Sequence, residues 1–260
     1  MAPPVDARAV VLFNLGYSYA HGQGAEQDWA KAVHFYQLAA ERGFINAQFN
    51  LGCCFQRGNG VAQDWAEAAR YYRLAAEQGH AGAQCNLGFC FQHGKGVAQD
   101  LVEGARCYQL AAEQGHAAAQ FNLGGCFEHG QGVAQDWVEA VRYYRLAAEQ
   151  GDADARCKLG ECFEHGKGVA QDAVEAVRYY RLAAAAAEDE LMAEFRASAL
   201  AGCERIACDR EVAAACCLGC GARRKLKKCS KCKVARFCGA ECVARAWPEH
   251  QPNCRLWRGS

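Results

Sequence analysis

The chain has 260 residues, 52% apolar and 22% charged, with 29 Lys and Arg against 29 Asp and Glu. Such a composition excludes a disordered chain and fits a folded protein holding one extended domain, with or without a small companion. The zero net charge hides a division, because residues 216–260 carry 11 Lys and Arg against two Glu, leaving 18 against 27 for residues 1–215.

At the N-terminus the apolar run Ala9–Phe13 is five residues long. That is too short for a signal-peptide core and far below the ~20 residues of a membrane helix, so no membrane segment is expected. Without a signal, the 18 cysteines point to a reducing cytoplasm or nucleus, and to metal rather than disulfides.

The chain then repeats itself. Copies begin NLGYSYAHGQG at Asn14, NLGCCFQRGNG at Asn50, NLGFCFQHGKG at Asn86, NLGGCFEHGQG at Asn122 and KLGECFEHGKG at Lys158, in steps of 36 residues. A fixed period of this size signals a stacked array in which each unit buries its apolar face against the next. Each copy predicts two helices. The first ends at a glycine such as Gly58, suited to a positive-φ C-cap, and a second glycine, Gly60, turns the chain. The second helix opens at Asp64, with Glu67 three residues on completing a capping-box-like pattern. Asp100 with Glu103, Asp136 with Glu139 and Asp172 with Glu175 repeat the device, whereas Lys31 stands in the Glu position of the first copy and predicts a weaker cap. Trp65, Ala69, Tyr72 and Ala76 recur at helical spacing, and the LG and LAA pairs put small residues where helices approach closely.

These residues resemble the Sel-one-like repeat family, a relative of the tetratricopeptide repeats, through A-x-x-x-L-G-x-x-[aromatic]-x-x-G-x-G-V-x-x-D followed by A-x-x-[aromatic]-Y-x-x-A-A-x-x-G. The resemblance spans residues 9–190. It implies an all-α fold, a right-handed α-solenoid of five two-helix repeats whose concave surface holds proteins or peptides, and it implies no catalysis. Small departures occur at the Trp29, Trp65 and Trp137 column, which reads Leu101 and Ala173 in the other copies. Residues 191–215 follow as a closing helix and linker, with Leu191, Phe195 and Leu200 on a helical stripe.

The basic tail holds Cys217, Cys220, Cys229, Cys232, Cys238, Cys242, His250 and Cys254. C-x-x-C pairs let neighbouring thiolates meet one ion at a turn, and three-residue gaps put both members on one face of a helical turn. Eight such ligands describe two closed tetrahedral zinc sites of structural type. Spacing leaves sequential and interleaved pairing equally open. The ligand order and the fillers CSKC, RFC, EC and WPEH look like the MYND zinc finger, over residues 217–254. That resemblance implies interleaving: Cys217, Cys220, Cys238 and Cys242 on one zinc, and Cys229, Cys232, His250 and Cys254 on the other. Fingers of the co-repressor type hold proline-rich peptides in a groove, which by resemblance assigns Trp247 and Ser230 to peptide contact; Val243 stands where that type has Gln.

Other columns read as structural. Cys54, Cys90, Cys126 and Cys162 are expected as buried small hydrophobes. His21, His93, His129 and His165, with Arg57 in the same column, are expected to cap first-helix C-termini. Cys216 is read as a bystander. The run RRKLKK, Arg223–Lys228, is expected in a solvated loop, with a nuclear signal, a nucleic-acid contact or an acidic partner as sharper readings. The expected function is a non-enzymatic zinc-binding adaptor that joins proteins through solenoid and finger. The rival is a nucleic-acid-associated transcriptional regulator using the basic finger.

Overall fold

The computed structural model describes residues 6–186 and two short strands, 227–228 and 236–237. The described residues form α1 (Ala7–His21), α2 (Trp29–Ala40), α3 (Ile45–Arg57), α4 (Trp65–Glu77), α5 (Ala81–His93), α6 (Leu101–Glu113), α7 (Ala117–His129), α8 (Trp137–Glu149), α9 (Ala153–His165) and α10 (Ala173–Ala186), then β1 (Lys227–Lys228) and β2 (Arg236–Phe237). Two compact units divide the chain, residues 1–135 with α1–α7 and residues 136–260 with the rest. Within each, consecutive helices pack as antiparallel neighbours, as the repeat predicts. The expected closing helix at 191–215 lies outside the described residues.

Each first helix stops where it should. Gly58 takes φ 74° and sends its N–H to Cys54 O, which ends α3 in a left-handed cap. The Asp64 carboxylate accepts from the Ala66 and Glu67 N–H groups at 2.8 and 3.1 Å and starts α4. The reciprocal half of the expected capping box does not form. The Asp64, Asp100 and Asp172 N–H groups already donate to Phe55, Phe91 and Phe163 O at 3.0, 2.9 and 2.9 Å. Glu67, Glu103, Glu139 and Glu175 are thereby released to pair with Arg70, Arg106, Arg142 and Arg178 one turn on. In the first repeat Asp28 takes the Lys31 N–H, and the Lys31 ammonium lies 3.0 Å from its other oxygen, an ion pair where the other caps have a second backbone bond.

The glycine of each LG pair makes room for a ring as well as for a close backbone, the carbonyls of Ala32, Ala68 and Gly104 lying 3.1, 3.3 and 3.0 Å from a Cβ placed on Gly16, Gly52 and Gly88. A Cβ on Gly52 would lie 2.6 Å from the Tyr72 ring, and Gly16, Gly88 and Gly160 stand in the same relation to Tyr36, Tyr108 and Tyr180. The glycine inside each first helix is thus a slot for the buried tyrosine of the second. Tyr108 donates from this slot to Gln92 Oε1 at 2.9 Å and Tyr180 to Glu164 Oε2 at 2.7 Å, while Tyr72 reaches Gln56. Stacked pairs Tyr19–Phe35, Phe55–Tyr71 and Phe163–Tyr179, at 5.7, 5.7 and 5.6 Å, add a second contact within the pair.

Between repeats the tight point is the second glycine. A Cβ on Gly60, Gly96, Gly132 or Gly168 would collide with the backbone carbonyl of Trp29, Trp65, Leu101 or Trp137, the residue that opens the preceding second helix. The side chain of that column can therefore change while its carbonyl keeps the contact. Gly24 shares the conformation, φ 76°, yet has nothing within 4 Å.

Glutamines close the helix ends. Gln27, Gln63, Gln99, Gln135 and Gln171, each next to the capping Asp, donate to Ala20, Gln56, Gln92, Glu128 and Glu164 O at 2.7–2.8 Å. A second, buried set reaches across repeats: Gln48, Gln84 and Gln120 donate to Ala40, Ala76 and Ala112 O, at 3.4, 3.2 and 3.3 Å. Gln78 and Gln114 in turn donate to Gln48 and Gln84 Oε1 at 2.7 Å. In the last repeat Arg156 holds the column; its guanidinium reaches both Ala148 O and Leu182 O, at 3.3 and 3.1 Å.

Gly60→Ala and Gly24→Ala each incur left-handed strain of roughly 1–2 kcal/mol. Only Gly60→Ala adds the overlap with Trp29, which we expect to cost a further ~1–3 kcal/mol. Urea denaturation of the two variants measures the difference; equal losses would remove the glycine contact from the stability of the array.

Two N-caps titrate. His80 and His116 accept the Ala83 and Ala119 N–H groups through Nδ1 at 3.0 and 3.3 Å. Burial lowers the pKa of both, and for His80 the His116 imidazole adds to it. A depressed folded-state value means that the neutral ring is favoured by folding. The stability is whole above the unfolded value near 6.5 and falls as pH drops through the lower folded value. The urea midpoint should therefore fall below about pH 6.5, and fall less in the His80→Asn, His116→Asn double variant, since Asn caps without titrating.

Candidate functional site

The eight candidate zinc ligands, and the candidate peptide contacts Ser230, Val243 and Trp247, lie outside the described residues. What is described beside them is the ladder. β1 pairs antiparallel with β2, Lys227 opposite Phe237 and Lys228 opposite Arg236. In the sequence Cys229 follows β1 directly and Cys238 follows β2, so the Cys229–Cys232 pair lies between the two paired strands. The basic run was expected wholly in a loop; its last two residues are instead ladder, because pairing with β2 makes them extended. Seven thiols and one imidazole suit the soft, tetrahedral demand of zinc. Among the described residues no cluster of His, Cys, Asp or Glu is arranged to hold a metal.

The repeat columns take structural places. Cys54, Cys90, Cys126 and Cys162 are buried free thiols, as expected. Burial pushes the Cys54 thiol up to about 12 and those of Cys90 and Cys126 up to about 11, so none of these three is a ready thiolate. Of the histidine column, His21 bonds Tyr17 O at 2.9 Å and stacks on the Tyr17 ring. His93 lies against Phe89, and His129 faces Glu128 at 3.7 Å. His21 thus meets a carbonyl near the end of its helix as expected, and in all five repeats the glutamine beside Asp takes a last-turn carbonyl as well. The signal in the sequence is the Gln that precedes each capping Asp at the same spacing from the glycines in all five repeats.

Half-buried tryptophans and exposed basic groups gather where repeats meet. Trp65 and Phe89 stand 6.2 Å apart, Phe89 contacts His93 at 4.3 Å, and the Lys95 ammonium lies 5.8 Å over Trp65. In the second unit Lys167 lies 4.6 Å over Trp137. No helix among the described residues is long and apolar enough to cross a membrane.

Comparison with known proteins agrees with both parts. The Sel1 repeat family matches residues 9–44, 45–80, 81–116, 117–152 and 153–187, and the MYND finger family matches residues 215–254, a span holding all eight candidate ligands. Among solved structures, a Sel1 repeat protein from Oxalobacter formigenes is 33% identical, with TM-score 0.69, covering 79% of this chain and 79% of its own. A protective antigen of uropathogenic Escherichia coli, described as displaying an SLR fold, is 36% identical with TM-score 0.68 over 73% of this chain and 40% of its own. Among curated proteins, the histone-lysine N-methyltransferase SMYD3 of Homo sapiens is 41% identical over 54 residues, 21% of this chain and 11% of that protein, and its Mus musculus counterpart is 40% identical over 53 residues, 20% and 10%. The chain thus spans about a tenth of the length of these enzymes, and the activity in their name is said of them. MYND fingers bind zinc, and both repeat and finger belong to classes that mediate protein–protein interaction. The chain belongs to the Sel1 repeat family of α-solenoids and carries a MYND-type zinc finger after its repeats.

Proposed function

We propose that the protein is a non-enzymatic adaptor whose repeats hold one protein partner while its finger holds another. One observation carries the reading: the polar and reactive groups repeated along the array are spent on structure. Each Asp–Gln pair caps two helices, the tyrosines fill glycine slots, and the buried cysteines are held as thiols. What is left for a partner is surface, including the aromatic and basic group around Trp65, Phe89 and Lys95.

In the finger, the proposed ligation is interleaved, with Cys217, Cys220, Cys238 and Cys242 on one zinc and Cys229, Cys232, His250 and Cys254 on the other. Ligands from separate pairs then brace one another, and the metal supplies the folding energy that so short a segment lacks. Ser230 and Trp247 are the proposed contacts for a proline-rich peptide, with Val243 in place of a hydrogen-bonding amide. The proposed location is the cytoplasm or nucleus. A second reading, contact with nucleic acid through Arg223–Lys228, draws on the basic ladder strand at Lys227–Lys228, and would show as binding that weakens steeply with salt.

Elemental analysis should find about two zinc ions per chain; a value near one overturns the eight-ligand assignment. Chelation should release the metal with little loss of helical circular dichroism, because the repeats do not depend on it. Affinity capture with the full chain, repeated with a Cys229→Ser, Cys232→Ser variant, should lose one set of protein partners and keep another. Retention or loss of every partner together would overturn the two-handed adaptor.

A further inference from the structure

The junction between the second and third repeats is furnished unlike the others. There Trp65 stands 6.2 Å from Phe89, Phe89 lies 4.3 Å from His93, and the Lys95 ammonium lies 5.8 Å over Trp65. At the other junctions the column of Phe89 reads Cys53, Gly125 and Glu161, and that of Lys95 reads Asn59, Gln131 and Lys167. Ring and ammonium coincide at this junction alone.

The array does not need either group. Its step is kept here by Gly96 against the Trp65 carbonyl, and the same backbone contact holds at junctions that lack both side chains. Phe89 is 37% exposed and Lys95 is exposed. Charge is unspent as well. Residues 1–135 carry 8 Lys and Arg against 11 Asp and Glu, and Lys31, Arg42, Arg70 and Arg106 each pair with a carboxylate. Among the described residues no carboxylate pairs with Lys95, nor with Arg57, which ends α3 on the same edge of the array.

We infer that this junction binds an acidic segment of a partner protein, with a large apolar side chain on the exposed ring of Phe89 and a carboxylate at Lys95. The inference rests on the adaptor reading and names the chemistry of one of its partners. An apolar side chain on Phe89 withdraws the exposed ring from water, and aromatic rings beside a cation are the usual anchors of such contacts. The contact with Trp65 restrains the Lys95 side chain before a partner arrives, so less freedom is lost on binding. The distances from Lys95 to Trp65 and from Trp65 to Phe89 are covered by three or four extended residues at ~3.3 Å each, so anchor and carboxylate belong to one short segment. Nucleic acid fits less well. Its continuous phosphates would meet a unit in which carboxylates outnumber cations, whereas a peptide brings its few charges only to where cations stand.

Fluorescence anisotropy of the full chain with a labelled, end-capped peptide, Gly-Asp-Asp-Phe-Asp-Gly, tests the inference. Binding should saturate and weaken as salt is raised. Replacing the three Asp by Asn in the peptide should weaken it at least about fivefold, and replacing its Phe by Gly at least about tenfold. On the protein, Lys95→Glu should cost at least about fivefold and Phe89→Ala about tenfold. Lys167→Glu should change nothing, because the lysine over Trp137 has Glu161 rather than a ring in the Phe89 column. Absence of saturable binding overturns the inference, as do equal binding of the neutral peptide, equal losses in Lys95→Glu and Lys167→Glu, or tighter binding of an oligothymidylate of the same length. If Phe89→Ala fails to fold, Lys95→Glu against Lys167→Glu decides alone. Failure of the peptide while affinity capture still returns two separable sets of partners overturns this site and leaves the adaptor standing.

Discussion

Everything in the array depends on how closely one helix pair can approach the next, and that distance is set by backbone against backbone. The second glycine of each later repeat rests on the first carbonyl of the preceding second helix, a position that no side chain can share. A backbone contact has no rotamers with which to yield. It tolerates Trp, Leu or Trp in the column it touches, since only the carbonyl takes part, and it lets surface residues vary while the step between repeats stays the same.

Within that frame the energetic difficulty is helix ends. Short helices of 12 to 15 residues expose free donors and acceptors at both termini, and every repeat adds the ends of two more helices. The chain answers locally with an Asp–Gln dipeptide, one side chain facing forward to an N-terminus and the other back to a C-terminus. It answers again across repeats with Gln48, Gln84 and Gln120, buried amides that cost little because both of their functions are met or shared with a neighbouring amide.

How far these features could be read in advance follows from how local they are. Repeat number, helix pairs, glycine caps and Asp caps are written in neighbouring residues, and the spacing of the cysteines and His250 identifies a metal-binding module without coordinates. The capping box failed for a tertiary reason: the Asp64 N–H is taken by Phe55 O, nine residues back, which a four-residue pattern cannot show. The role of Gln48 is invisible to local patterns because its partner Gln78 is 30 residues away. The glycines of the tyrosine slots were legible as points of close helix approach, which the carbonyls of Ala32, Ala68 and Gly104 beside Gly16, Gly52 and Gly88 bear out, but the ring that shares each slot was not. Ligand pairing in the finger was legible only through resemblance, since spacing admits two arrangements.

The last repeat is written differently from its neighbours, and the difference is coordinated. Where interior repeats use two glutamines, one from each helix, the fifth has Arg156 on α9 and Ala186 at the end of α10. One guanidinium spans the two carbonyls that two amides would otherwise serve. Lengthening of such an array by duplication is therefore not equivalent at every point. A copy of the second or third repeat brings both members of its glutamine pair and can be inserted among the interior repeats, whereas a fifth repeat transplanted inward would bring the arginine solution with it. The array has a grammar of medial and final forms, and Arg156 is the final one.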